Sequence, residues 1–372
     1  MINQEELTVF NIGENLDSLM NLDPRGYGVC RILYSAAREY TKEPLTMNSG
    51  KKLALTLKEG DIVYILTGFV LLPFKKAEMD GIVSTMLLAR ALVKGFGVKP
   101  VIVCPKDNIE AVQNLSYVVG LHYYESIEDV KKYPLSVSGI AFTKDKSRAE
   151  RQADELISKG VPSAVISIEC PGANSVGVYH NAIGLDVTEI EAKVDILFKK
   201  LKKMGVLNIA IGDLGNELGM GAIKEHIQKY VPYAAKGGCA CGCKGGILAD
   251  TAADNIITAT VSDWGCYGLI AALSYLKKDM NIMHTVEMEK DAMITASRSG
   301  MIDMYGDLIP AIDGCNMSMN VSIVNLMREC IDSAMKLDKT CAVWFDKVIE
   351  LGFYEKEDVK RYKKDNSLKN VI

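Results

Sequence analysis

The sequence predicts an α/β fold of three layers, α/β/α, around a mostly parallel, Rossmann-like central sheet. Three observations carry this expectation. Short runs rich in Val, Ile and Leu recur along the chain, as in DIVYILT at 61–67 and SAVISIE at 163–169. Strands this apolar are covered on both faces, which is the situation of parallel sheets. Segments of helical periodicity separate the runs, as βαβ units require. Several runs also stop at a hydroxyl or an acid beside a turn residue: Thr67-Gly68, Glu169 before Pro171-Gly172, Gly212-Asp213, and Ser262-Asp263.

Taken in order, residues 1–60 read as a helical segment packed on the core. Residues 61–67 form the first strand, and 78–96 a helix closed by Gly95 or Gly97. A strand at 98–104 leads to a helix at 108–119. A shorter strand at 138–142 precedes a helix at 148–159, which Gly160 and Pro162 end. After the strand at 163–169 comes a long amphipathic helix over 187–204, closed by Gly205. Residues 207–213 make the next strand, and its glycine-rich continuation enters a helix running to about residue 230. A strand at 255–262 and helices at 267–277 and 321–335 complete the pattern. The result is one principal domain at 61–335, flanked by the 1–60 segment and a helical tail at 336–372.

The chain has 372 residues, 48% hydrophobic and 24% charged, with a net charge of −4. That balance is ordinary for a soluble globular protein. Its pI of 5.8 gives no basic footprint for nucleic acid. The lysine clusters at 199–203 and 360–364 are short enough to be solvated faces. No apolar run reaches the roughly 18 residues of a membrane span, and the start, MINQEELTVF, lacks a signal-peptide profile. The expected partner is a small molecule rather than nucleic acid or membrane. The expected compartment is the cytoplasm, and homo-oligomerisation is left open. Several of the ten cysteines (Cys30, Cys104, Cys330, Cys341) lie in apolar segments, which suits reduced thiols.

Open parallel sheets bind ligands beyond the carboxyl ends of their strands, so four strand ends would bring hydroxyls and acids to one rim. The most informative stretch is NIAIGDLGNELGMG at 208–221. Asp213, Asn216 and Glu217 offer oxygen donors for a divalent cation, and Gly215 lets backbone approach a ligand. The EMDG segment, with Glu78, Asp80 and Gly81, reads either as acids complementing a helix dipole or as part of the site beside Thr67 and Gly68. Glu169, closing an apolar strand at a Pro-Gly turn, reads as a ligand group; Tyr179, His180 and Asn181 follow in its loop. Ser262-Asp263-Trp264 either caps a helix or, through the indole, walls a pocket.

Haloacid-dehalogenase phosphatases share a similar magnesium loop, but they need an Asp-x-Asp nucleophile and this chain has none. Phosphate-loop, nucleophile-elbow and dinucleotide signatures are missing too, so no nucleotide cofactor is expected. Cys239, Cys241 and Cys243 sit between glycine pairs. Thiolates bind zinc, yet structural zinc sites usually pair cysteines as C-x₂₋₄-C with a second pair elsewhere, and the sequence has no second pair. A flexible loop with incidental or redox-sensitive thiols is the favoured expectation there. The four histidines, His122, His180, His226 and His284, show no metal-ligand spacing.

Five motifs occur in a fixed order: TGF with E-x-D-G (67–69, 78–81), IE-x-PG with Y-x-N (168–172, 179–181), GD-x-GNE-x-GMG (212–221), T-x-AD (251–254) and S-x-WG-x-Y (262–267). With Leu22-Asp23-Pro24-Arg25-Gly26 and Asp313-Gly314, they make the chain resemble the D-glutamate cyclase-like family over roughly residues 15 to 335. Asp263 stands where that family usually has Asn, and the Cys-rich loop is outside its pattern. The resemblance implies an α/β fold, an acidic pocket for Mg²⁺ or Mn²⁺, and a lyase reaction converting D-glutamate to 5-oxo-D-proline and water. On that implication Asp213, Asn216, Glu217 and Asp313 hold the metal, and Glu78, Glu169 and Asp213 are the catalytic groups. Thr67, Gly68, Asp80, Gly81, Tyr179, Asn181, Gly215, Ser262, Asp263 and Trp264 then contact substrate. Arg25 and Lys75 are the nearest cations by motif. Metal-dependent hydrolysis, as by a phosphatase, and non-catalytic binding of a small molecule are the competing functions.

Overall fold

A computed structural model describes residues 3–337 and 342–355. In chain order the strands are β1 (Ile62–Thr67), β2 (Val70–Leu71), β3 (Lys76–Ala77), β4 (Lys99–Pro105), β5 (His122–Tyr124), β6 (Ser136–Phe142), β7 (Ala164–Ile168), β8 (Leu207–Gly212), β9 (Asn255–Thr258), β10 (Ala311–Ile312) and β11 (Cys315–Asn316). The helices are α1 (Gln4–Met20), α2 (Val29–Thr41), α3 (Leu45–Thr56), α4 (Ile82–Phe96), α5 (Ile109–Val118), α6 (Ile127–Lys132), α7 (Lys146–Ser158), α8 (Val194–Lys203), α9 (Lys224–Tyr230), α10 (Ser262–Leu276), α11 (Val286–Arg298), α12 (Met317–Leu337) and α13 (Ala342–Glu350).

Seven strands form one sheet in the order β5-β6-β4-β1-β7-β8-β9, and every pairing in it is parallel. In register, Val63 of β1 faces Pro100 on one side and Ala164 on the other. All of β1 and β7 is buried, so their apolar runs are explained by helices on both faces. The predicted three-layer α/β/α class is the observed one.

Helix α10 is the hub of one layer. Its fifteen residues are all buried, as befits a helix apolar all round. It packs against α1, α3, α4 and α12. Small residues set the α3–α10 spacing: a Cβ on Gly268 would stand 2.7 Å from the Thr46 methyl, and one on Gly50 would stand 3.2 Å from the Ala272 Cβ. The N-terminal segment is tied in by Asp17, whose carboxylate accepts from the Leu45 and Thr46 amides at 2.6 and 3.1 Å and so caps α3. Opposite, α7 and α8 pack together, and Tyr64 of β1 donates to the Leu156 carbonyl of α7 at 3.0 Å.

The differences from the sequence reading lie between elements. The helix expected over 187–204 begins only at Val194, because the preceding residues turn to hold neighbours: Glu191 accepts from the Val70 amide at 2.9 Å. The strand expected at 255–262 stops at Thr258, and Ser262 already opens α10. The glycine-rich stretch after β8 is a loop, and α9 starts at Lys224. Elements β5, α6 and α11 were not anticipated. In the tail, Leu7 of α1 packs with Phe345, Val348, Ile349 and Tyr354; Cys341 and the 360–364 lysine cluster lie outside the described residues. No helix among the described residues is long and apolar enough to cross a membrane.

Candidate functional site

The chain leaves β1 for β4 and the strands beyond it, then returns to β7 on β1's other edge. This reversal opens a crevice at the carboxyl ends of β1 and β7, where open α/β sheets take their ligands. Thr67 ends β1, Glu169 follows β7 and Asp213 follows β8. The three chain exits are stitched together: the Gly68 amide donates to the Glu169 carbonyl at 3.1 Å and the Glu169 amide to the Ile211 carbonyl at 3.2 Å. Glu169 is held at φ 40°, a conformation a non-glycine residue keeps only when its surroundings impose it. Its carboxylate accepts from the Ser262 hydroxyl.

Gly81 lies against this corner. At φ +83°, its missing Cβ would be 2.6 Å from the Glu169 Cβ and 2.8 Å from the Thr67 hydroxyl oxygen. Only glycine supplies both the backbone angle and the space. Two aspartates then exchange helix caps. Asp80 accepts from the Asp263 and Ser262 amides at 2.9 and 3.2 Å, at the start of α10. Asp263 accepts from the Gly81 and Ser84 amides at 2.9 and 3.3 Å, at the start of α4. Each carboxylate satisfies donors that a helix start leaves without intrahelical partners.

The GDLGNELGMG loop wraps around one of its own carboxylates. Glu217 accepts from the amides of Asp213 (3.1 Å), Leu214 (2.7 Å) and Gly215 (2.6 Å). Gly212 is required beneath it, since a Cβ there would stand 2.8 Å from a Glu217 oxygen. Asp313 arrives from far along the chain. It and Gly314, at φ 50° and 75°, connect β10 to β11, the left-handed Asp-Gly pair of a tight hairpin. Its carboxylate pairs with Arg25, which the Asp23 turn presents between α1 and α2 by accepting from the Gly26 and Gly28 amides at 2.9 and 2.7 Å.

Oxygens of Asp80, Glu169 and Asp213 lie within 4.8 Å of one another, and all three residues are buried. Two full charges at that separation repel by about 3–4 kcal/mol at an effective dielectric of 20. The titration follows. Burial, and then the neighbouring carboxylates, hold Glu78, Asp80, Glu169 and Asp213 well above the usual carboxylate range. Burial likewise pushes Asp263 up to about 7. Asp313 is raised by burial, against the pull of Arg25. Carboxyl groups in this state hold their protons more tightly than exposed ones and give them up to a bound cation. The donor set is hard oxygen, suited to Mg²⁺ or Mn²⁺.

The structure therefore brings Glu78, Asp80, Glu169, Asp213, Ser262 and Asp313 into one electrostatic group, with Thr67 at its wall; the Thr67 hydroxyl is buried without a hydrogen bond. Others expected there are placed differently. Glu217 accepts from three amides of its own loop, yet beyond burial its charge still raises Glu169, Asp213 and Glu78; Asp80, itself holding backbone amides, completes the carboxylate triad. Asn216 donates to the His180 carbonyl at 3.1 Å. Trp264 is fully buried and donates to Asn320 at 2.7 Å. Tyr179 is bonded to Asp195, and Asn181 closes its own turn onto the Leu185 amide at 2.9 Å. Lys75 is exposed on the β2–β3 hairpin, which leaves Arg25 as the motif cation at the site. Asp303, also buried, adds to the field at Glu78; an isolated Asp outside the motifs gave no sequence signal. A groove of about 770 Å³ lined by Lys106, Lys144 and Arg148 contains none of these acids. Its Lys144 is paired with Asp107 at 2.6 Å.

A second cluster joins His180 to Cys239, Cys241 and Cys243, with ligand-capable atoms all within 4.8 Å. Linear spacing does not show this, because the histidine comes from the loop after β7. The absence of a second cysteine pair is thus no obstacle to a four-donor set.

The chain matches the family described as D-glutamate cyclase-like, C-terminal, over residues 16–328, and it belongs to that family. Among individual proteins, it is 34% identical over 114 residues to human "D-glutamate cyclase, mitochondrial". The aligned part covers 30% of this chain and 17% of the human protein. The match thus spans under a fifth of that relative's length.

Proposed function

We propose that this protein catalyses the cyclisation of D-glutamate to 5-oxo-D-proline and water, or closely related chemistry on a small acidic amino acid, with a divalent cation at Asp80, Glu169 and Asp213. The observation that carries the reading is the triad of buried carboxylates crowded within 4.8 Å at the sheet's switch point, beside an arginine. Ring closure forms a bond from the substrate's α-nitrogen to its γ-carbon and breaks a γ C–O bond, and it needs both a proton acceptor and a proton donor. A bound Mg²⁺ or Mn²⁺ would supply charge to polarise the γ-carboxylate and offset repulsion between an anionic substrate and the acidic rim.

The chain's own groups divide the remaining work. Glu169, to which the Ser262 hydroxyl donates, accepts in turn the two protons that the α-ammonium loses. Glu78, whose carboxyl burial and its acidic neighbours raise well above the usual range, delivers protons to the departing oxygen, which takes up two and leaves as water. The Arg25 Nε is buried without a hydrogen bond, so it has a donor free for a substrate carboxylate. The unpaired Thr67 hydroxyl is a second such donor. The test is incubation of purified protein with D- and L-glutamate, with Mg²⁺, Mn²⁺ or chelator, and detection of 5-oxoproline by NMR. Product with D-glutamate that disappears on chelation supports the assignment. No product under any metal condition would sink it.

A further inference from the structure

We propose a second metal site in this chain: a structural zinc ion held by His180, Cys239, Cys241 and Cys243. The Cys239 sulfur lies 3.4 Å from that of Cys243 and 3.6 Å from that of Cys241. The His180 Nε2 lies 3.1 Å from the Cys241 sulfur and 3.6 Å from the Cys243 sulfur. A tetrahedron built on the usual Zn–S and Zn–N lengths has S···S edges of about 3.8 Å and S···N edges of about 3.6 Å. The four donors are therefore gathered at nearly the separations one zinc ion imposes. The sulfurs are too far apart for a disulfide, whose bond is about 2.0 Å.

The surroundings fit thiolates. Cys243 sulfur accepts from the Gly245 amide and from the Asn174 side chain, both at 3.4 Å. Such outer donors orient a metal-bound sulfur and stabilise its charge. Asn174 also donates to the Gly246 carbonyl at 2.8 Å and accepts from the Val176 and Val178 amides at 3.0 Å each. One amide side chain thus shapes both the segment leading to His180 and the cysteine loop. Gly245 is needed at this junction, because a Cβ there would stand 2.2 Å from the Asn174 nitrogen.

Four protein donors leave no open coordination position, which marks a structural rather than a catalytic zinc. Binding would replace up to three thiol protons with the metal. Soft thiolates separate this site chemically from the hard carboxylates of the triad. Its consequence reaches that triad, because the His180 carbonyl accepts from Asn216 in the GDLGNELGMG loop at 3.1 Å. Zinc would fasten the cysteine loop and the loop after β7 to the loop that carries Asp213.

The test uses the full chain, purified under reducing conditions. Elemental analysis should find one zinc per chain, and Asp213→Asn should retain it. After zinc removal, titration with Co²⁺ should give the intense visible bands of a tetrahedral site together with thiolate charge-transfer absorption. Cys241 is exposed, so Cys241→Ser is the variant least disturbing to folding. It and His180→Ala should lower zinc affinity by about 100-fold or more, measured against a competing chelator, since even outer-shell losses cost 10–100-fold. The proposal is overturned by an octahedral or absent Co²⁺ spectrum in the parent protein, by undiminished zinc in both variants, or by a disulfide among the three cysteines in freshly isolated protein. None of these readings depends on turnover of glutamate, so this proposal and the cyclase assignment fail separately.

Discussion

Replacing Asp263 by Asn should stabilise the protein at alkaline pH and flatten its pH dependence. Asp263 is fully buried, and its Oδ1 accepts from the Gly81 and Ser84 amides. An Asn oxygen keeps both bonds. The other oxygen meets the Tyr267 hydroxyl at 3.3 Å, but that hydroxyl lies closer to Glu289, at 2.7 Å. Tyr267 has one proton, and Glu289 is its better acceptor. The atom facing Asp263 is then a phenolic oxygen that wants a donor, which a protonated Asp or an Asn amide provides.

The carboxyl sits at about 7 in the folded protein against an ordinary 3.8. The folded state therefore binds more protons than the unfolded state between those values, and stability falls as pH rises through them. Once pH exceeds both, the cost is about 4 kcal/mol. Integrating the same two values, about 2–3 kcal/mol of it accrues between pH 5 and pH 8. Asn cannot ionise, so this part of the slope disappears. Urea unfolding of parent and variant at pH 5 and pH 8, in chelator so that no cation competes, reads the difference directly. The other buried acids add a slope of their own, and Asp80, which beyond burial the Asp263 charge helps to raise, loses part of that push in the variant, so the variant flattens further. If the two lose equal stability between pH 5 and pH 8, the account of Asp263 as a buried, proton-retaining cap is wrong.

Three further outcomes are expected. Glu217→Gln sets an amide donor against the backbone donors of residues 213–215 and should cost about 1–3 kcal/mol in urea unfolding; an unchanged midpoint would refute the loop-brace role. Gly81→Ala forces a side chain into φ +83° and onto Glu169, which should cost about 1–3 kcal/mol in backbone strain alone; thermal denaturation checks this, and a neutral result would mean the corner has room to yield. Glu169→Gln should lower cyclase turnover by about 10²–10⁴-fold while leaving the circular dichroism spectrum unchanged.

Much of the fold was legible because its signals are local. A parallel strand buried on both faces must be apolar along its length, as β1 and β7 are. Turn chemistry then marks where each strand stops. The residues at those stops, Thr67, Glu169 and Asp213, needed only the rule that such sheets bind ligands at their carboxyl ends. The opening of α10 at Ser262 was harder to place. Its cap comes from Asp80, which is 182 residues away, and nothing beside Ser262 announces it.

The sequence by itself thus determined the α/β class, the apolar strands, and that Glu169 and Asp213 stand where their strands end at the rim of the sheet. Tertiary structure alone decided how those acids are shared. It turned Glu217 inward to brace its loop, made Asp80 and Asp263 exchange caps, set Arg25 against Asp313 across 288 residues, and brought His180 to three thiols more than fifty residues further on. The physical reason is one of range. Hydrophobic periodicity and turn preference act between neighbours along the chain, whereas a carboxylate's role depends on which donors and charges closure of the sheet places within a few ångströms.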